Sequence, residues 1–261
     1  MRRETQNILL ILLGGALLKI AITGDYLRYV KPSQQWWVLG GGAVMVALGV
    51  VAMARDLLAA RAAAAAESAD SLGPGESGEG CGSEHHHAAR SAWLLMVPVL
   101  AVFLVAPPAL GSDSVTRTQA RAPQSSEARD AAAFPPLPDD EVVPLAVSDF
   151  VARAGWDKNG TLNGRTVSLS GFVVQDDGST RLARMVIGCC AADAFPVTVR
   201  LANGRPESLA GLEQDSWIEV TGQVVPGTAT RKNRYTPDLT LSSLRPIPIP
   251  ETPYAVSYTH L

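Results

Sequence analysis

No charged residue interrupts Trp36 to Met53, "WWVLGGGAVMVALGVVAM", and an apolar run of that length has few places to go in a folded chain. A helix crossing the hydrocarbon layer of a bilayer needs roughly 20 mostly apolar residues, within a range of about 17–25. The aromatic pair at its start suits a membrane interface. A second run, Ala92 to Leu110, "AWLLMVPVLAVFLVAPPAL", is equally apolar, and its prolines sit where neighbouring helices or water can satisfy the freed carbonyls. A third, Ile8 to Thr23, is shorter and carries Lys19 near its far end, from which the ammonium can snorkel to the headgroups. It has a basic start but no clear small-x-small cleavage site, so it reads as a span rather than a removed signal peptide. The expectation is a membrane α-helical N-terminal region, residues 1–110, with three transmembrane helices at about 8–23, 36–53 and 92–110 and a loop at 54–91.

Basic residues near the span ends set the orientation. Arg2 and Arg3 precede the first span, and Arg55, Arg61 and Arg90 lie between the second and third, against Arg28 and Lys31 between the first two. This places the N-terminus and the long loop in the cytoplasm, and the chain after Leu110 outside a multi-pass cell-membrane protein. Asp56–Asp70 holds strong helix formers and should extend the second span, whereas Ser71–Arg90 is Gly-, Ser- and Glu-rich and reads as flexible. Residues 111–143, rich in Pro, Ser and Ala with no period, read as a flexible linker.

Residues 144–254 read as a compact all-β domain. Ala146–Gly155 looks like a short helix with Ser148 as N-cap and Phe150 and Val151 facing inward, and Asp157–Gly160 supplies turn chemistry. Five β-like runs follow: Arg165–Gln175, Arg181–Cys189, Phe195–Ala202, Trp217–Val225 and Leu239–Ile247. Alternation through Val167, Leu169, Gly171 and Val173, and again through Ile218, Val220, Gly222 and Val224, is the strand signal. Five short strands in about a hundred residues suit a small OB-like barrel (oligonucleotide/oligosaccharide-binding type). A fold does not confer a ligand. The formal net charge of −3 offers no global basic signal, and the strands offer only Phe172 and Trp217 as aromatic platforms, so no nucleic acid is expected. The basic loop Thr230–Asp238 reads as a solvated hairpin.

Two of the three cysteines, Cys189 and Cys190, are adjacent at a strand end, with Asp193 close by. They admit a packing role as small apolar residues, a metal site for zinc or copper(I) completed by other ligands, or redox work by a vicinal pair. Strand alternation sets them on opposite faces, so the expected arrangement is divided: one cysteine anchors the barrel, the other shares an external pocket with Asp193. The long loop carries a second set, Cys81, Glu84, His85, His86 and His87, whose thiol and imidazoles also suit zinc, copper or nickel. No phosphate-cradling glycine loop, nucleophile elbow or His-Glu metalloprotease helix is present, and the chain is not expected to be an enzyme.

The stretches "SGFVVQ" (Ser170–Gln175), "RMVIGCCAADAFPVTV" (Arg184–Val199), "WIEVTGQV" (Trp217–Val224), "IPETPY" (Ile249–Tyr254) and "TGDYLRYVKP" (Thr23–Pro32) carry a resemblance. In them the chain resembles a bacterial family of membrane proteins regarded as permease subunits and encoded beside a larger multi-span permease. The resemblance covers nearly the whole chain, with the Cys-Cys-Ala-Ala-Asp-Ala run as its most specific part. It implies a transport-linked accessory role with a multi-span permease as partner. Together with the two sets of metal-type ligands, it points to transition-metal handling; the alternative is a membrane-tethered thiol redox protein or sensor. Gly40–Gly42, inside a span, would allow close helix packing. Residues 255–261 are expected to be a non-native tail, because "VSYTHL" resembles translated adapter sequence.

Overall fold

The computed structural model describes residues 3–70, 97, 100, 101, 104, 108–118, 134–176, 178–202, 209 and 211–256. The chain divides into two compact units, residues 1–26 with 33–107, and residues 27–32 with 108–261.

In the first unit, α1 (Arg3–Thr23) and α2 (Gln35–Asp70) are both long and apolar enough to cross a membrane. Only 17% and 11% of their most apolar windows are buried, which leaves Trp36, Trp37, Val44 and Leu48 exposed. In water that exposure would forgo most of the hydrophobic stabilisation of these side chains; in a bilayer it costs nothing. At about 1.5 Å per residue the 36 residues of α2 outrun a hydrocarbon layer of about 30 Å, and the surplus is the stretch of helix formers after Met53. The helices approach closely at Gly14 and Gly42. A Cβ on Gly14 would lie 2.8 Å from the Gly42 carbonyl oxygen, and one on Gly42 would lie 3.0 Å from that of Gly14, so only glycine permits the contact. Gly40 and Gly41 have nothing within 4 Å of a built Cβ. The Asn7 amide donates to the Asp56 carboxylate at 3.0 Å, tying the two helices together at that end. Of the span expected at 92–110, Val97, Leu100, Ala101 and Leu104 are helical; residues 92–96, 98, 99, 102, 103 and 105–107 lie outside the described residues.

In the second unit seven strands form one sheet: β1 (Val142–Pro144), β2 (Thr166–Asp176), β3 (Ser179–Ile187), β4 (Phe195–Ala202), β5 (Trp217–Val225), β6 (Asp238–Pro246) and β7 (Tyr254–Val256). The order is β1-β2-β5-β6-β4-β3-β7, and β2 also pairs with β3, so the five long strands pair in a closed circuit. All neighbours in that circuit are antiparallel except β4 and β6, which run parallel. At Gly222, beside the irregularity between Thr221 and Gly222, a Cβ would collide with the Thr240 carbonyl, so the sheet curls where a side chain is absent.

The inward set of the alternation holds: Val167, Leu169, Val173, Leu182, Val199, Ile218 and Val220 are buried in one core. A helix, Val147–Trp156, closes that core with Val147, Phe150 and Val151. Its N-cap is Ala146, whose carbonyl accepts from Asp149 and Phe150; Ser148, expected as the cap, falls within the first turn. The turn after it forms as expected. The Asp157 carboxylate accepts from Asn159 N–H at 2.9 Å and Thr161 N–H at 2.8 Å. Phe172, Val174, Met185, Ile187 and Trp217 form a second buried cluster on the other side of β2 and β3. Both faces are therefore covered there, which is why alternation could not distinguish Met185 from Val186.

Residues 111–143, expected to be a flexible linker, are structured at both ends. Ser112–Arg117 is a short helix on the domain; Ser112 donates through N–H and Oγ to Asp215 at 2.6 and 2.8 Å, and Val115 is buried in the second cluster. Residues 134–138 are held by Arg153, which donates to the Pro135 carbonyl at 2.8 Å. The side chains that fix these ends, Asp215 and Arg153, lie outside the segment itself. Residues 119–133 lie outside the described residues. At the C-terminus, β7 runs two residues past the boundary drawn for the tail: Ala255 and Val256 pair with Val186 and Ile187.

Candidate metal centre

β3 ends at Ile187, the turn Ala191–Asp193 is a single 3-10 turn, and β4 begins at Phe195, so Cys189 and Cys190 occupy a seven-residue connection between paired strands. The connection is held from two sides. From within, the Asp193 carboxylate folds back and accepts from Gly188 N–H at 3.0 Å and Cys189 N–H at 2.7 Å. From the same unit, residues 27–32 run antiparallel to it. Val30 bridges Cys190, Lys31 N–H donates to the Cys189 carbonyl at 3.2 Å, and Ala191 N–H donates to the Tyr29 carbonyl at 2.6 Å.

The divided arrangement does not occur. Because the strand ends at Ile187, alternation stops before the cysteines. Cys189 is exposed and Cys190 half-buried, and their Sγ atoms lie 3.6 Å apart. Neither anchors the core. One donor atom each from Cys189, Cys190 and Asp193 falls within 4.8 Å of the others, a spacing that a single ion can bridge. The candidate ligands Cys81, His85, His86 and His87, with Glu84, lie outside the described residues.

The electrostatics of the cluster are set by the carboxylate. Partial burial raises the Asp193 carboxyl, but hydrogen bonds from the Cys189 thiol and from the N–H groups of Cys189, Gly188 and Cys190 outweigh it and hold it below the usual carboxylate range. The same thiol–carboxylate bond, assisted by Cys190, pushes the Cys189 thiol up to about 11. At neutral pH Cys189 therefore keeps its proton and Asp193 its charge. A thiolate nucleophile is disfavoured here. A bound cation would displace that proton and change Asp193 from a neighbour that opposes thiolate into a ligand that favours the complex.

Residues 156–257 match the DUF1980 C-terminal domain. Neither a curated protein nor a solved structure matches the chain. The match begins at the last residue of the helix Val147–Trp156, so β2 to β7 and the cysteine turn lie within the matched residues, while β1 and residues 27–32 lie outside them. Beside the turn, Arg184 stacks 4.7 Å over the Trp217 ring and donates to the Thr252 carbonyl at 2.6 Å. Burial pushes its guanidinium down to about 10, still charged at neutral pH. The Trp217 ring also lies 5.8 Å from that of Phe172. Two features of this site were missed in the sequence. Tyr29–Lys31 carries no residue that marks it as a partner of the cysteines, because its contacts are made by backbone groups. The charge of Asp193 is legible in the sequence, but its use as a clamp on backbone N–H groups has no sequence signal.

Proposed function

We propose that the chain is a non-enzymatic accessory subunit of a larger multi-span permease, and that Cys189, Cys190 and Asp193 handle a thiophilic ion, copper(I) or zinc, for it. The observation that carries this reading is the cluster itself: two thiols and a carboxylate gathered on one exposed turn. Three donors fall short of a closed tetrahedral site. That suits an ion accepted from, or passed to, a ligand on a partner. In this reading the closed circuit of five strands is an OB-like barrel standing outside the cell on three spans, with the N-terminus in the cytoplasm, and Cys81, His85, His86 and His87 form a collecting loop on the inner side.

The pairing of Val30 with Cys190 supports that topology. It requires the segment between α1 and α2 to share one side of the membrane with the β domain. On this reading two crossings separate them, α2 and the span expected at 92–110. With α2 alone, the two partners would face opposite compartments. The open face of α2 at Gly40 and Gly41 offers a close-packing surface for a permease helix. The redox alternative is favoured by the 3.6 Å separation of the sulfurs and opposed by the protonated state of Cys189.

Purification of the tagged chain from native membranes in mild detergent should recover a multi-span partner; recovery of the chain alone overturns the accessory role. The reduced, metal-free full chain, titrated with copper(I) or zinc against a chromogenic chelator, should take up an ion that Cys189→Ser and Cys190→Ser each abolish without a fall in melting temperature. No uptake at micromolar ion removes the metal role. A vicinal disulfide that cycles readily in a mass measurement with and without reductant would favour redox work instead.

A further inference from the structure

A second site lies in the β domain, built by residues of β3, β4 and the β5–β6 loop. A cleft of about 560 Å³ is lined by Arg181, Arg200, Lys232 and Arg234 together with Asn233 and Asp238. Four cations against Asp238 and the adjoining Asp176 leave a formal excess of two positive charges, in a chain whose formal net charge is −3. The excess is therefore local.

Two features of this cleft run against stability, and two of its cations are unpaired among the described residues. Arg181 and Arg200 are register partners on β3 and β4, and like charges directly opposite one another on a sheet are destabilising. Each is offset by a carboxylate: Arg181 donates to Asp176 at 2.6 Å, and Arg200 forks onto Asp238, with Nε to Oδ1 at 2.7 Å. Lys232 and Arg234 have no ion-pair partner among the described residues. Finally, Arg234 and Tyr235 both sit in the left-handed region, at φ 56° and 58°, a conformation that non-glycine residues adopt at a cost and that clusters at functional sites. The loop is built to hold that strain. Asn233 accepts from Thr230 N–H at 2.9 Å and donates to the carbonyls of Thr228 and Thr236 at 2.6 and 2.9 Å, and the Tyr235 ring stacks 4.7 Å from Trp156.

We infer that this cleft is a binding site for a phosphate-class oxyanion, in the form of a di- or triphosphate-sized soluble molecule or a lipid phosphate headgroup. Guanidinium forks match phosphate oxygens in pairs, and an ammonium adds a point charge. The volume is too large for one inorganic phosphate and within the range of small-molecule sites. Among the described residues the lining has no aromatic side chain on which bases could stack. The site is separate from the cysteine turn and does not depend on the ion-handling role.

The test uses the full chain in nanodiscs of zwitterionic phosphatidylcholine, titrated with tripolyphosphate by calorimetry. Binding should be saturable and should weaken with salt. Lys232→Ala and Arg234→Gly should each weaken it by about tenfold, the loss expected when one charge-assisted contact goes. Glycine at 234 also relieves the left-handed strain, so the melting temperature of that variant should be unchanged or higher. A loss of affinity with no loss of stability separates a ligand site from a structural one. In discs containing anionic phosphatidylglycerol, a fall in tripolyphosphate affinity assigns the site to headgroups, and an unchanged affinity assigns it to soluble anions. Absence of saturable binding in the zwitterionic discs, or variants that bind like the unaltered chain, overturns the inference.

Discussion

Replacing Asp193 by Asn should make Cys189 more reactive, although the substitution removes no bond to carbon or sulfur in the thiol itself. The thiol is held up to about 11, first by its hydrogen bond to the Asp193 carboxylate and then by Cys190. In a Cys190→Ala background the carboxylate is the main cause left. Its removal should let Cys189 fall toward the ordinary thiol range of about 8.5. A fall of about two pH units raises the thiolate fraction at pH 8 by about a hundredfold. The less basic thiolate is also a weaker nucleophile, with a Brønsted coefficient of about 0.4–0.5, so the net gain in alkylation rate is about tenfold. The assay is iodoacetamide labelling of the metal-free chain at pH 8, read by mass on the tryptic peptide Met185–Arg200. The sign of the stability effect follows from the raised folded value. The thiol–carboxylate bond adds stability below about pH 8.5 and loses it as pH rises through about 11. Asp193→Asn should therefore flatten the alkaline limb of the thermal-stability profile. An Asp193→Asn variant that reacts at the unaltered rate, or more slowly, would refute the carboxylate as the cause.

Asp238→Asn leaves Arg200 without its charged partner at a buried acceptor; with the Arg200 side chain 54% exposed, the cost should be about 1–2 kcal/mol, read from thermal unfolding of the purified chain. Gly42→Leu should destabilise the α1–α2 pair and Gly40→Leu should not, because only Gly42 abuts the Gly14 carbonyl; equal effects on the melting of the helical signal would contradict the described contact. Val30→Cys, made with Cys189→Ser and Cys81→Ser, should form a disulfide with Cys190 on mild oxidation of intact cells, since residues opposed in an antiparallel bridge have Cα atoms about 4.5–5.5 Å apart, within disulfide reach. Free thiols at both positions by mass after alkylation would count against a shared side of the membrane.

What the sequence disclosed follows the range of the forces involved. Phe195–Ala202 and Trp217–Val225 are strands residue for residue, because period-two burial is a local signal. β1 and β7 were invisible at three residues each, since they exist only by parallel pairing with β2 and β3. The parallel pair β4–β6, which completes the circuit, links segments with no local pattern in common. At the cysteine turn the residue types were legible and their geometry was not, because alternation was extended past a strand that stops at Ile187. The cleft shows the same limit more sharply. Arg181 and Arg200 each look like the polar partner of an inward valine or leucine, and only the register of β3 against β4 sets them side by side.

On the proposed reading, the proton on Cys189 decides what sort of ion site the turn can be. A storage site would arrive with its thiolates preformed, and at neutral pH this one does not, since Asp193 stabilises the thiol. Binding must release a proton, so occupancy rises with pH and falls on acidification. With only three donors, a fourth ligand from a partner tightens the complex when present and loosens it when withdrawn. Both features favour exchange over retention. The backbone adds a consequence. The carbonyls that fix the turn to residues 27–32 belong to Cys189 and Tyr29, so any ion that reorients Cys189 also strains the bond from Lys31 N–H. Lys31 immediately precedes the 3-10 turn Pro32–Gln34 that leads into α2. On the proposed reading, occupancy of the turn would be felt, through that short stretch of chain, at the start of α2, the helix proposed to pack against a permease. An accessory subunit that reported ion binding to its partner would need such a connection.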